Sequence, residues 1–201
     1  MKFAGSVVIA TLALGWSISA QQPANGPAYS PSGELLRPQN YREWVFLTSG
    51  LGMTYGPAAE GQSARVPFFD NVFVNRSSYE AFVTDGRWPD KTMFILEGRR
   101  SMENVSINQG GRTQGDRAFI EAAVKDVQRY KDTGGWAYFS FDSPQGLVNS
   151  VKPLPTTAAC YACHANNTAV ENTFVQFYPE LFDIAKQKGT VKTTYDPNKK
   201  P

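Results

Sequence analysis

Cys160, Cys163 and His164 sit in the run Cys160-Tyr161-Ala162-Cys163-His164, and they are the only cysteines and the only histidine of the 201 residues. Every soft metal-binding side chain other than methionine is thus confined to one short stretch. The spacing C-x-x-C-H is the attachment signature of a c-type haem. In that chemistry each thiol adds to a haem vinyl group to form a thioether, and the adjacent imidazole ligates the iron axially.

Three rival chemistries use the same residue types. A structural zinc site takes four N or S ligands, and this run offers three, so the fourth would have to be a carboxylate. A redox-active C-x-x-C pair belongs near the start of a βαβ unit, whereas this one lies late in the chain with no βαβ pattern before it. A plain disulfide leaves the single histidine as a coincidence. Covalent haem c, one per chain, is the reading that uses all three residues.

Residues 1–20 have the layout of a secretory signal. Lys2 supplies a short positive start, Val7–Trp16 an apolar stretch, and Ser17-Ile18-Ser19-Ala20 small residues for cleavage. The apolar stretch is short for a membrane span, although an uncleaved anchor is the competing reading. No later segment has the length or hydropathy to cross a bilayer. Export to a bacterial periplasm fits haem c, which matures outside the cytoplasm.

Loss of Lys2 with the leader takes the formal net charge from +2 to +1. A balance so near neutral gives no electrostatic reason to expect nucleic acid or an anionic membrane as partner. The remaining chain of about 180 residues is long enough for one domain with a sizeable core.

The elements that must position the motif follow from pattern and punctuation. Residues 21–32 are rich in Pro, Gly, Ser and Asn and are expected to form a loose leader. The haem domain is expected over 33–190, with a frayed tail over 191–201. A short helix is predicted after Pro38 through Trp44, and Val45–Thr48 either extends it or starts a strand. Residues 50–67, glycine-rich and aperiodic, are predicted as a loop. Strands are predicted at 68–74, 92–100, 118–130 and 136–141, the last rich in aromatic residues of high β-propensity. Asn75–Ser78 offers caps for a helix over 79–84 that stops near Gly86. Residues 104–116 are polar and glycine-rich, and a loop is expected there. After Pro144 the pattern turns helical: a short piece at 147–150, a helix over 158–164 carrying the motif, and a closing helix over 177–188 stopped by Gly189. Antiparallel strands followed by helices make an α+β domain, with an antiparallel sheet, flanking helices and haem attached near the C-terminal helices.

The ordered series of residues then resembles a known family. Gly33–Val45, Ala123-Val124-Lys125-Asp126, Trp136-Ala137, Leu154-Pro155-Thr156, the Cys160–His164 motif and Phe174–Pro179 are similar in order and spacing to cytochrome P-460 and its relative cytochrome c′-beta. The resemblance implies an antiparallel sheet with flanking helices, a homodimer, and a haem c ligated by His164 with an open or water-filled far side. It also implies two functional branches. Members of the P-460 type oxidise hydroxylamine and carry an additional bond from a lysine to the porphyrin. The c′-beta type lacks that bond and binds small gases such as nitric oxide. The lysine position aligns with Leu96, which cannot form the bond. Lys91 lies at an odd offset and therefore on the other face of the strand.

With no second histidine, the sixth iron ligand is Met, Lys, a backbone group, water or nothing. Met53, Met93 and Met102 are the methionines left after the leader. Methionine ligation would make an electron carrier. An open site lined by Phe94 and Leu96 would suit a neutral diatomic gas, because nitric oxide needs no hydrogen-bond donor. Met93 is expected on the face away from Leu96. Glu97, Arg99 and Arg100 either reach haem propionates or face solvent. The preferred reading is a gas-binding haem protein. The alternative is a haem oxidoreductase acting on hydroxylamine or nitric oxide and passing electrons to a partner cytochrome.

Overall fold

The computed structural model describes residues 25–54 and 66–198. The signal sequence read over residues 1–20 lies outside them, as does most of the loop predicted over 50–67. The elements, in order, are strands β1 (Leu35–Leu36), β2 (Val45–Leu51) and β3 (Phe68–Val74), helix α1 (Arg76–Asp85), and strands β4 (Met93–Glu103), β5 (Arg112–Lys125), β6 (Trp136–Ser140), β7 (Asp142–Ser143), β8 (Gly146–Leu147) and β9 (Ser150–Val151). Helices α2 (Ala159–Asn167) and α3 (Pro179–Gln187) close the chain. The domain is α+β, as expected: β2 to β6 form one antiparallel sheet in sequence order.

Alternation along the strands sorts side chains to two covered faces. Phe73, Ile95, Ala122 and Phe139 are successive cross-strand partners and share one face. Leu35, Tyr41 and Trp44 pack onto that face, so the segment before β2 is its lid. One residue along, Val74, Phe94, Ala123 and Tyr138 pair across the same strands and share the other face. There they meet Phe82 of α1, Trp88, Tyr178, and Leu181 and Ala185 of α3. Each large side chain buried this way contributes on the order of 2 kcal/mol. Covering both faces explains why β4 opens with the unbroken apolar run Met93–Leu96, not an alternating one.

Gly98 is fixed by close approach, since a Cβ there would collide with the Phe119 ring on β5. Gly86 ends α1 in the left-handed conformation at φ 68°, with its N–H donating to the Phe82 carbonyl. Asn75 does not cap α1 with its side chain. Its Oδ1 accepts from Met93 N–H instead, and its Nδ2 donates to the Asn25 carbonyl.

Several sequence expectations shift. The predicted loop over 104–116 is shorter, because β5 already begins at Arg112 and continues the β4–β5 hairpin. Ladder hydrogen bonds hold these polar residues extended whatever their propensity. The helical piece expected at 147–150 is instead β8 and β9, with Leu36 opposite Ser150 and Ser143 opposite Gly146. The helix after Pro38 is a single 3-10 turn, Tyr41–Glu43. The closing helix starts at Pro179 rather than 177, because the residue before a proline is pushed out of helical geometry.

Contacts also extend beyond 33–190. The Tyr29 ring lies under the Arg129 guanidinium at 3.9 Å, and its hydroxyl bonds to that of Tyr130 at 3.2 Å. Lys192 N–H donates to the Ala169 carbonyl at 2.8 Å, and Tyr195 packs edge-on against Phe182. Among the described residues no helix is long and apolar enough to cross a membrane.

Candidate functional site

Cys160, Cys163 and His164 fall at i, i+3 and i+4 of α2, which brings them to one side of the helix. All three line an open cavity of about 690 Å³ between α2 and the second face of the sheet. Tyr161, beside them on α2, ties the helix to the sheet. The Tyr161 hydroxyl donates to the Leu154 carbonyl at 3.2 Å, and its ring meets Tyr138 of β6 edge-on at 4.9 Å.

His164 is held from three directions. Its Nδ1 lies 2.8 Å from the Asn172 carbonyl. A carbonyl only accepts, so Nδ1 carries the proton and Nε2 keeps its lone pair. The imidazole packs between the Tyr138 ring at 4.3 Å and the edge of Phe174 at 4.6 Å. Burial pushes its pKa below the usual 6.5, the Asn172 carbonyl opposes the shift, and the Lys192 charge adds to it. The ring is therefore neutral at pH 7, the form in which an imidazole binds iron.

Cys160 and Cys163 form no disulfide with each other. Burial and the Glu121 charge raise the Cys160 pKa. Among the described residues no group of three or more His, Cys, Asp or Glu side chains converges to hold a metal ion. A c-type haem requires no such convergence, because its thiols bond to the porphyrin edge and only the imidazole meets the metal.

The sheet supplies the facing wall. Phe94 and Leu96, the residues singled out from sequence, both line the cavity together with Val72 and Ala123. Phe94 serves the core as well, edge-on to Trp88 at 4.8 Å and stacked on Tyr178 at 6.3 Å. The wall is not wholly apolar, however. Asp70 of β3 and Glu121 of β5 also line it. Burial raises the Glu121 pKa, and the charges of Asp142 and Asp70 raise it further; burial alone raises Asp70. Both were missed from sequence. Glu121 interrupts an apolar strand, which is the available signal.

The methionines divide cleanly. Met53 lines the cavity, Met93 is buried in the first face as expected, and Met102 is 42% exposed on the β4–β5 hairpin. Glu97 corrects the expectation of solvent or haem propionates. It is fully buried on the first face, accepting hydrogen bonds from Tyr41, Arg42 and Arg99. Arg99 also donates to the Gly115 carbonyl, and the Arg100 guanidinium lies over the Phe68 ring at 5.5 Å, so neither lines the cavity.

The residues present suit a haem. The cavity lies within the range of about 300–1,000 Å³ typical of cofactor sites. The two thiols and a pre-oriented neutral imidazole share one wall of it. The Tyr138 hydroxyl is buried at that wall and approaches Asn172 without a hydrogen bond of normal geometry, leaving a donor for a polar group of the occupant. A family model described as Cytochrome P460 matches residues 38–175. No curated protein matches the chain.

Proposed function

This chain belongs to the cytochrome P460 family of haem cytochromes, and from that premise we propose that it carries one haem c and binds a small neutral gas such as nitric oxide. Cys160 and Cys163 would hold the porphyrin by thioether bonds, and His164 Nε2 would ligate the iron. When bound, the haem supplies an iron able to take a diatomic ligand on the side away from His164.

This chain's own residues set what that ligand is. The observation that carries the reading is the apolar part of the cavity wall: Val72, Phe94, Leu96 and Ala123. A neutral diatomic loses little on entering such a surface, whereas an anion loses its hydration there and meets the carboxylates of Asp70 and Glu121. Leu96 stands where the family resemblance expects the cross-linking lysine, and an aliphatic side chain forms no bond to porphyrin. The Asn172 carbonyl holds the His164 proton on Nδ1 and so keeps the ligand nitrogen free. Tyr138 and Phe174 hold the ring plane.

A second reading is favoured by Glu121. A carboxylate in the same wall, with its pKa raised, is suited to take a proton from a substrate N–H or O–H. That reading is a haem oxidoreductase acting on hydroxylamine or nitric oxide, with electrons leaving to a partner cytochrome. A third is an electron carrier ligated by Met53, the cavity-lining methionine. Export to the periplasm through a cleaved leader, and assembly as a homodimer, complete the proposal.

Intact-mass measurement of the exported protein tests the attachment. The expected mass is that of the chain without its leader plus one haem. A bare polypeptide mass, in a host with working haem-attachment machinery, would refute it. Turnover of hydroxylamine with an artificial electron acceptor would favour the oxidoreductase over the gas-binding module.

A further inference from the structure

The hydrogen bond that orients His164 ends on a backbone carbonyl, so its geometry depends on whatever fixes the loop containing Asn172. That loop is tied down with unusual density. Glu171 adopts φ 49°, the left-handed region, where a residue with a Cβ costs about 1 kcal/mol. Its carboxylate accepts from Lys125 Nζ of β5 at 2.7 Å, and both side chains are largely buried, 15% and 19% exposed. Lys125 Nζ also donates to the Trp88 carbonyl at 2.7 Å and lies over the Trp136 ring at 5.9 Å. The pair is thus anchored in the sheet and not on the loop alone.

The far side of the loop is bound as well. The Trp88 indole N–H donates to Thr173 Oγ at 2.8 Å. The Thr168 hydroxyl lies between the Glu171 and His164 carbonyls at 2.9 and 2.5 Å, and Lys192 Nζ donates to it at 2.8 Å. The Asn172 carbonyl therefore sits between two pinned residues, Glu171 and Thr173. Lys125 belongs to the run Ala123–Asp126, one of the stretches that carries the family resemblance, and the cavity makes no use of it.

We propose that the Lys125–Glu171 ion pair is a positioning device for the axial ligand: it holds Glu171 in its left-handed conformation, aims the Asn172 carbonyl at His164 Nδ1, and so sets how strongly His164 binds the iron. The inference rests on the haem reading above. A firm Nδ1–H···O bond gives the imidazole more anionic character and makes it a stronger donor. Loosening the loop weakens that bond, lowers the donor strength and favours the ferrous state.

The test uses the haem-loaded protein and four substitutions at two positions that do not touch the iron. In Lys125→Met and Glu171→Ala, the iron–histidine stretch of the ferrous protein, read by resonance Raman, shifts to lower frequency, and the reduction potential rises. Lys125→Arg keeps the charge and restores both toward the wild-type values. Glu171→Gln keeps volume and hydrogen bonding while removing the charge, and gives an intermediate shift should Glu171→Ala fail to fold. An unmoved stretch and potential in folded Lys125→Met and Glu171→Gln would overturn the positioning role, whatever happens to their melting temperatures. Wild-type protein with no iron–histidine stretch at all would instead refute the five-coordinate, His164-ligated haem on which the inference rests, so the two failures are distinguishable.

Discussion

Leu96 of β4 and Glu121 of β5 are in-register cross-strand partners, so an aliphatic side chain and a carboxylate stand side by side in one wall of the cavity. The two pull the chemistry of the site in different directions. Leu96 favours a neutral ligand that is bound and released, while Glu121 offers a place for a proton.

Glu121→Gln separates these roles. Nitric oxide affinity of the ferrous protein should change by less than about threefold, under 1 kcal/mol, because a neutral diatomic needs no proton acceptor. Any hydroxylamine turnover should fall sharply. In the wild type that turnover should rise with pH through an inflection above the ordinary glutamate value of 4.5, since burial and the Asp142 and Asp70 charges raise the pKa. The glutamine variant should show no such inflection. Equal pH profiles in the two proteins would remove Glu121 from the chemistry.

Leu96→Lys places an amine beside Glu121 on the cavity wall. Treatment of the haem-loaded variant with peroxide should then produce a bond between the lysine and the porphyrin, detected by mass spectrometry of the haem peptide. A haem peptide with no added linkage would mean that this wall does not face the porphyrin.

His164→Ala should keep the haem attached through Cys160 and Cys163 but change its optical spectrum in both oxidation states. Removing the ring from between Tyr138 and Phe174 should also cost about 2 kcal/mol, as cavity-forming substitutions do. A wild-type spectrum would contradict the axial assignment.

Glu97 is predicted to carry acid sensitivity far from the cavity. Burial would raise its pKa, but hydrogen bonds from Tyr41 and Arg99, with the charges of Arg42 and Arg99, outweigh it and hold the carboxyl below its usual 4.5. A depressed folded-state pKa contributes stability that is full above about 4.5 and is lost as pH falls through the lowered value. Glu97→Ala should destabilise the protein by about 3 kcal/mol at pH 7, because it leaves Arg99 and Tyr41 without their buried acceptor. Urea unfolding at pH 7 and below pH 4 checks both statements: the difference between wild type and variant should shrink in acid.

The chemistry-bearing motif was legible because c-type attachment compresses three residues into five positions. Strands β3, β4 and β6 were legible from their apolar and aromatic runs, whereas the sequence of β2 is open to helix or strand and β5 runs Arg112–Lys125 where 118–130 was expected. The two carboxylates were missed because the sheet is covered on both faces. Glu97 was expected at haem propionates or in solvent, yet it is buried and accepts from Tyr41, and Glu121, to which no role was assigned, lies in the cavity wall. The short strands β8 and β9 escaped detection because four residues carry too little periodicity, and pairing decides their form, β8 with the neighbouring β7 and β9 with the distant β1. Glu171 carries no signal in sequence at all, since its left-handed backbone is imposed by contacts from β5.

The central claim is a haem ligated by His164 with its other side open to a small neutral ligand. The ferrous optical spectrum of the purified protein, recorded before and after addition of nitric oxide, tests it most directly. The account predicts a high-spin, five-coordinate ferrous spectrum that nitric oxide converts fully to a new one. A low-spin spectrum unchanged by nitric oxide would contradict it and point to Met53 or another side chain on the sixth position.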